Sequence, residues 1–288
     1  MSTLFELTVG YICTDTNALT SCAISLDIVE HLPLQHAQHD NNCYKFGKLG
    51  SYNVAMCGTR SNNGCDSTIA AADMMASFPS IKLLILVSSN AGAVPRGVGQ
   101  VHVGDVVVAQ KLVKTNRDGD LEEMDLPQAS ALLATIGMNT AQQCLLDDDI
   151  AALTAKNKRW GGRCRRPAGD DVDKLDKIFA PRRQDEPASL IHRHGLVISN
   201  TIYPEDAGFR DSIAGPGKFE SASVVCFDHG QTAGLLYQKN VDVVSVLGVS
   251  NYCDNDAKWY RNLWARYTSM AASACARRIV LGLATESK

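Results

Sequence analysis

Residues 245–254 of this 288-residue chain read SVLGVSNYCD, and this stretch decides the fold prediction. Apolar residues and a glycine come first, and a set of polar side chains follows: Ser250, Asn251, Tyr252 and Asp254. This order is typical of a buried strand with polar groups at its carboxyl end, and an amphipathic helix is predicted after it, over about residues 257–281. Ligands of open α/β sheets bind at such strand ends. The stretch is therefore the first candidate site.

The composition is that of an ordinary globular protein. The hydrophobic fraction is 45% and the formal net charge is −3, so no strong overall field favours nucleic acid or an anionic membrane. The ten cysteines are scattered without a CxxC pair, which is typical of reduced thiols in the cytoplasm. No window reaches the roughly 18 apolar residues of a membrane span, and no signal peptide is recognisable. We expect a cytoplasmic protein with a small-molecule partner and no nucleic-acid or membrane partner.

Strand and helix patterns alternate along the chain. Apolar runs typical of strands occur at residues 7–13, 44–49, 52–57, 81–87, 101–109, 190–199, 222–227 and 241–249. Helical patterns occupy much of the sequence between them, including about residues 127–155. This alternation predicts an α/β fold with a mostly parallel, covered sheet. No repeat or linker divides the chain, so we expect a single domain over residues 1–288.

Two segments interrupt the alternation. Residues 88–95, SSNAGAVP, follow the most apolar strand and are predicted to form a small-residue loop that a ligand can approach closely. Residues 156–187 begin with six basic residues between Lys156 and Arg166, continue with acidic residues and contain few apolar ones. We expect this segment to be a long, solvated surface excursion.

Several short sequence motifs are distributed along the whole chain: TVGYIC from Thr8, NNCYKFGKLGSYNV from Asn41, MMASFPSIK ending at Lys82, GDVVVA from Gly104, HGLVISN from His194, CFDHGQTAGLL from Cys226 and GVSNYCD from Gly248. Together they resemble the purine nucleoside phosphorylase and nucleosidase superfamily, and its fungal branch in particular. The resemblance implies a three-layer αβα domain with a mixed, mostly parallel, twisted sheet. It also implies cleavage of N-glycosidic bonds, with phosphate or water as acceptor, and a homo-oligomer. No cofactor is expected.

The resemblance places the family's base-handling aspartate at Asn251, which forms hydrogen bonds but cannot give up a proton. Asp254 matches the second aspartate of the same word. The family's basic residue shortly before this word is replaced by Leu247. The reaction needs a protonated or hydrogen-bonded leaving base, so these replacements bear directly on activity.

The family's other functional motifs are also altered in this sequence. The family's ribose-binding glutamate maps to Gln231, with Asp228 or His229 as alternative substitutes, and Phe227 begins that word. The phosphate loop falls on Ser88, Ser89 and Asn90 and keeps one glycine, so fewer backbone amides can approach an anion. The early word that carries a glutamate in nucleosidases reads Thr16, Asn17 and Ala18 here, and Arg60 remains as a candidate phosphate partner.

The candidate catalytic residues are Asn251, His229, Asp228 and Gln231, and the candidate substrate-binding residues are Ser88, Ser89, Asn90, Arg60, Phe227, Tyr252 and Asp254. Four of them also have a structural alternative: Asn251 as a turn former, Gln231 as a helix-start residue bonded to the backbone, His229 as an exposed loop histidine and Tyr252 as a core residue. No metal site is predicted, because His192 and His194 lack a third ligand in the sequence.

Three functions remain open. We favour a repurposed biosynthetic enzyme that binds a neutral metabolite in the former nucleoside cleft and promotes a cyclisation, isomerisation or pericyclic step. The second is a phosphorylase or nucleosidase in which Asp228 or His229 replaces the missing acids. The third is a non-catalytic binding or assembly module.

Overall fold

The computed structural model describes residues 6–31, 37–59, 66–94, 101–115, 121–127, 129, 131, 146–168, 189–200, 205–214, 222–227 and 229–283. Its strands are β1 (Val9–Cys13), β2 (Ile28–Glu30), β3 (Tyr44–Leu49), β4 (Tyr52–Gly58), β5 (Leu83–Ala93), β6 (Val106–Thr115), β7 (Leu121–Asp125), β8 (Ile191–Asn200), β9 (Ala222–Phe227) and β10 (Asp242–Asn251). Its helices are α1 (Thr16–Ser25), α2 (Asp66–Ser77), α3 (Leu146–Lys156), α4 (Lys158–Gly161), α5 (Ala207–Ala214), α6 (His229–Gln238) and α7 (Ala257–Leu283).

The strands form one mixed sheet that contains two parallel sets. β4, β1, β5 and β10 lie side by side and run in one direction, and β6, β8 and β9 form the second set. The two sets meet in antiparallel pairs, β10 with β6 and β5 with β9. The pairings therefore close a ring of β5, β10, β6, β8 and β9, and β3 and β2 extend the sheet beyond β4.

Helices cover both faces of the sheet, as a three-layer αβα fold requires. A Cβ on Gly10 would lie 2.7 Å from the sulfur of Met74 in α2. The next residue, Tyr11, donates a hydrogen bond to Ala276 O of α7 at 3.2 Å. Because successive strand residues point to opposite faces, α2 and α7 lie on opposite sides of β1. The predicted α/β class is confirmed.

Several strand boundaries differ from the predictions, most of all those of β5 and β6. The predicted loop over residues 88–95 is wrong for residues 88–93, because β5 continues to Ala93 by pairing with β10 and β9. The strand predicted over residues 101–109 begins at Val106 instead. A turn precedes it: Asp105 N donates to His102 O at 3.0 Å, Asp105 Oδ2 accepts from His102 N at 2.9 Å, and Gly104 has a φ of +100°.

The basic segment is partly anchored to the core. Lys156 ends α3, and the short helix α4 follows it. Trp160 Nε1 donates to Ser21 Oγ of α1 at 3.1 Å, Cys164 is buried, and the guanidinium of Arg166 lies 5.7 Å from the ring centre of Trp264. Most other residues of the described part, 156–168, are exposed, so this part is a surface segment anchored at a few side chains. Residues 169–187 lie outside the described residues.

Candidate active site

The candidate site lies where the carboxyl ends of β1, β5 and β10 meet. These strands are parallel neighbours, so their carboxyl ends share one edge of the sheet. The amino end of β6 reaches the same edge, because Gly104 N donates to Val249 O and Val249 N donates to Asp105 O. β5 carries Ser88, Ser89 and Asn90 along this edge, between the end of β1 and the end of β10.

Asp15 follows β1 and caps the amino end of α1. Its Oδ1 accepts hydrogen bonds from Ala18 N at 2.9 Å and from Ser89 Oγ at 2.8 Å, and its Oδ2 accepts one from Ser89 N at 2.9 Å. Burial raises the pKa of this carboxyl, while hydrogen bonds from Ser89 and Ala18 oppose the shift. Asp15 is therefore a desolvated carboxyl held directly against β5, which is a suitable environment for a general base.

The polar residues of β5 are held in place by their neighbours. Ser88 and Ser89 are buried, Ser88 Oγ accepts from Asn90 N at 3.2 Å, and Ser89 O accepts from Thr268 Oγ1 of α7 at 2.9 Å. Asn90 differs, because its buried Oδ1 has no hydrogen-bond donor among the described residues. An unpaired buried acceptor costs about 1–3 kcal/mol. A hydroxyl or N–H group of a ligand would remove that cost.

The backbone of β5 is not free to cradle an anion. Ser89 N donates to Asp15, Asn90 N donates to Ser88 Oγ, and residues 91–93 lie in ladders with β10 and β9. An anion nest needs successive backbone N–H groups that point into one concavity. The phosphate loop that the resemblance implies is therefore replaced here by paired strand.

Asn251 ends β10 and is completely buried. Its Oδ1 accepts from Cys253 N at 2.8 Å, and its Nδ2 donates to Ser250 Oγ at 3.0 Å and to Ala91 O at 3.5 Å. A Cβ on Gly92 would lie 2.0 Å from Cys253 Sγ and 3.0 Å from Asn251 Oδ1. The glycine kept in this segment therefore allows β5 to pack against the end of β10.

The turn after Asn251 brings further polar groups to the site. Tyr252 and Cys253 are buried, and Cys253 has a φ of +51°. Asp254 is partly exposed; burial raises the pKa of its carboxyl, while a backbone hydrogen bond from Asp256 and the charge of Arg210 act in the opposite direction. Arg210 of α5 donates from Nη1 to Tyr252 O at 2.9 Å. The guanidinium of Arg210 thus contacts the residue that directly follows Asn251.

His229 is not in an exposed loop. It is the first residue of α6, its side chain is completely buried, and its Nδ1 lies 2.6 Å from Ser245 Oγ of β10. Burial lowers the pKa of His229 to about 3, so the ring is neutral at physiological pH. Gln231 lies two residues further along α6 and is partly exposed. The catalytic role expected for His229 therefore has no support from its position.

The remaining predicted residues are placed as follows. Phe227 is the last residue of β9, while Asp228 and Arg60 lie outside the described residues. Leu247, which stands where the family's basic residue is expected, is completely buried in the core. In the described ranges no three potential metal ligands cluster. His192 instead has its Nε2 2.8 Å from Asp105 Oδ2.

Two polar residues at the site have no role in the sequence interpretation. Asp15 is recognisable in sequence only as a helix cap, and its contact with Ser89 joins residues 74 positions apart. Arg210 reaches Tyr252 from 42 positions earlier in the chain. No local pattern identifies either contact, because both depend on how β1, β5, β10 and α5 pack.

Comparison of the sequence with protein-family models and with curated proteins finds no match. Comparison with solved structures finds similarity to the futalosine hydrolase of Helicobacter pylori, at 12% identity over 95% of this chain and 97% of that chain, with a TM-score of 0.63. A 5'-methylthioadenosine/S-adenosylhomocysteine nucleosidase from Neisseria meningitidis gives 13% identity, coverage of 95% and 98%, and a TM-score of 0.64. The protein has the nucleosidase fold.

A third nucleosidase-fold structure agrees. The MTA/SAH nucleosidase of Streptococcus pneumoniae, solved in complex with 8-aminoadenine, is 15% identical over 95% of this chain and 99% of that chain, with a TM-score of 0.64. These identities establish the fold, and the activity has to be argued from the site. None of the described helices of this nucleosidase-fold chain is long and apolar enough to cross a membrane.

Proposed function

We propose that this protein is a hydrolase of the nucleosidase type, which cleaves the N-glycosidic bond of a purine nucleoside with water as the acceptor. The observation that carries the proposal is the pairing of Asp15 with β5: a desolvated carboxyl is hydrogen-bonded to Ser89 at the edge where β1, β5 and β10 end. The paired backbone of β5 offers no nest for phosphate. Water is therefore the acceptor that this arrangement favours over phosphate.

In the proposed reaction, Asp15 orients a water molecule and accepts its proton as the oxygen adds to the anomeric carbon of the sugar. The bond between that carbon and the base nitrogen breaks, and its electron pair goes to the base. The base then takes up one proton from solvent and Asp15 returns its proton to solvent, so the products are the free sugar and the free base. In this proposal Asn90 Oδ1, which lacks a donor among the described residues, accepts a hydrogen bond from a sugar hydroxyl.

The part of the site that would contact the departing base has no acid at Asn251 to protonate it. Asn251 is neutral, and its amide already has hydrogen-bond partners within the protein. The base must therefore leave by accepting hydrogen bonds from other groups rather than a proton from Asn251.

The neutrality of Asn251 also favours a second candidate function. A site without a strong acid suits an uncharged metabolite that cyclises, isomerises or undergoes a pericyclic step through orientation and hydrogen-bond polarisation. In that case Asp15 would act only as the cap of α1, and nucleosides would not be cleaved by the wild-type protein.

The test is nucleoside hydrolysis, followed by release of free base, with and without phosphate, for the wild type and for Asn251→Asp. Phosphate-independent release by the wild type at ordinary enzyme rates supports the hydrolase. Cleavage only by Asn251→Asp supports a repurposed site that retains the nucleoside geometry. Inactivity of both proteins, or a strict need for phosphate, overturns the hydrolase proposal.

A further inference from the structure

A group of exposed cations lies on the surface segment that follows α3 and on the neighbouring part of α7. We call this group the cationic strip, and its members are Lys158, Arg159, Arg163, Arg165 and Arg266. None of them has a carboxylate within 4.0 Å among the described residues, and residues 156–168 contain no acidic residue. Elsewhere a carboxylate lies within this distance of Lys111, Lys114, Arg210, Arg261, Arg277 and Arg278. The charge of the strip is therefore not neutralised by its described surroundings.

The backbone that carries most of the strip is fixed to the protein. Asn157 Oδ1 caps α4 by accepting from Trp160 N at 3.1 Å, and Trp160 Nε1 donates to Ser21 Oγ of α1 at 3.1 Å. Gly161 is packed so closely that a Cβ would lie 2.1 Å from Thr154 O of α3. Like charges that are close together repel each other, and this anchoring keeps the segment from relieving the repulsion by moving away.

The segment runs beside α7 towards the sheet edge that carries the candidate site. At one end, Lys156 Nζ and Arg277 Nε both donate to backbone carbonyls at the end of α1. At the other end, the guanidinium of Arg166 lies 5.7 Å from the ring centre of Trp264. An α-helix rises about 20 Å between positions 264 and 277. One turn from Trp264, Thr268 Oγ1 donates to the backbone of β5 at 2.9 Å. The segment is therefore about 20 Å long and ends near the site.

Arg266 extends the strip onto α7 itself. Burial raises the pKa of the Cys164 thiol to about 12, and the nearby charge of Arg266 opposes this rise. Arg266 therefore lies next to the segment that carries the other four cations. Four of the five members of the strip are arginines, and the planar guanidinium group matches the geometry of phosphate oxygens. This composition favours a partner with repeated phosphate groups.

We propose that the cationic strip binds the sugar–phosphate backbone of a single-stranded nucleic acid. A strand carries one phosphate about every 3.4 Å, so about 20 Å accommodates about six phosphates, close to the number of cations. A single row of cations beside one helix fits one strand better than the two separated backbones of a duplex. Contacts to phosphate carry no sequence information, so RNA and DNA strands should bind alike.

This inference is independent of the proposed hydrolase, because it concerns a surface outside the candidate site. The expectation of no nucleic-acid partner rests on the formal net charge of −3. That value is a sum over the whole chain, whereas binding of a strand depends on the local excess of positive charge along the strip.

The experiment measures fluorescence anisotropy of labelled oligouridine and oligodeoxythymidine at increasing salt concentration. We expect a Kd of about 1–100 µM at physiological salt for both strands. The logarithm of the association constant should fall with the logarithm of the salt concentration with a slope of about −3.5, because about five phosphate contacts contribute about −0.7 each. Affinity should therefore fall about 100-fold when the salt concentration rises about fourfold.

Two double variants test whether the strip is the binding surface. Arg163→Gln/Arg165→Gln removes two exposed cations, so it should weaken binding about 10-fold and reduce the slope to about −2. Lys82→Gln/Lys239→Gln makes the same change in net charge at exposed positions beside the amino ends of β5 and β10. This control should leave both the affinity and the slope unchanged.

Several outcomes would overturn the inference. They are no binding at low salt, a wild-type slope shallower than about −1, and equal weakening by the two double variants. Polyglutamate and vesicles of an anionic phospholipid serve as competing probes. Tighter binding of polyglutamate than of the oligonucleotides would assign the strip to an acidic protein, and tighter binding of the vesicles would assign it to a membrane surface.

Discussion

Asp15 combines a structural role with the chemical role that we propose for it. It caps α1 through Ala18 N and fixes Ser89 through two hydrogen bonds, so its carboxyl cannot turn away from β5. Burial raises its pKa, which moves the carboxylate towards the basicity that a general base needs near neutral pH. The sequence interpretation looks for an acidic residue at Thr16, Asn17 and Ala18 and finds none, whereas the buried carboxyl of Asp15 lies one residue earlier.

Asp15→Asn should separate the two roles. Asparagine still caps a helix, so we expect a loss of only about 1–2 kcal/mol in unfolding free energy from the weakened contact with Ser89. The rate of nucleoside hydrolysis should fall about 10²- to 10⁴-fold, because the amide cannot accept a proton. Steady-state kinetics and chemical denaturation measure the two effects. Asn157→Ala, which removes the cap of α4, serves as the control and should leave the rate unchanged. Full activity of Asp15→Asn would exclude Asp15 as the base.

β5 organises the site because it has three neighbours. Along Leu83–Val87 it lies between β1 and β10, and at Gly92 and Ala93 it pairs with β9. This pairing keeps residues 88–93 in the sheet, although their small side chains favour a loop in the sequence interpretation. The absence of a side chain at Gly92 is what lets Cys253 and Asn251 approach. The site geometry thus depends on close packing between two strands.

Gly92→Ala should destabilise the protein by about 1–3 kcal/mol, because the added Cβ would lie 2.0 Å from Cys253 Sγ. Cys253→Gly removes this sulfur and relieves a φ of +51°. The double variant should therefore recover part of the loss, with a coupling energy of about 0.5–3 kcal/mol in urea unfolding. Gly234→Ala is the matched control: its Cβ would lie 3.5 Å from Lys114 Nζ, and the change should stabilise α6 slightly. Additive effects of the Gly92 and Cys253 changes would contradict this packing.

The closed ring of strands joins the two parallel sets into one structure. Helix α7 adds to this connection, because it contacts α1 through Ser269 and β5 through Thr268. A single domain over the whole chain and a homo-oligomer stay predictions. His229 lies inside this structure, between α6 and β10, and links the stability of the molecule to pH.

The stability of the wild type should fall as the pH is lowered from about 6.5 towards 3. The pKa of His229 is about 3 in the folded state and about 6.5 in the unfolded chain, so only the unfolded chain gains a proton in this range. The contribution of this residue is about 1.4 kcal/mol per pH unit and is absent above pH 7. Urea unfolding of the wild type and His229→Gln across this range measures it. Equal slopes for the two proteins would show that His229 titrates normally when folded.

The sequence by itself determines the α/β class and most of the strand and helix positions, and it predicts a candidate site at the end of β10. These features follow from hydrophobic periodicity and turn residues, which act over a few positions along the chain. The tertiary structure decides that β5 continues to Ala93, that β6 begins after a turn at Asp105, and that His229 is buried. It also decides that Asp15 and Arg210 lie at the site. These outcomes depend on strand register and helix packing between distant segments, and no local pattern encodes which distant groups will meet.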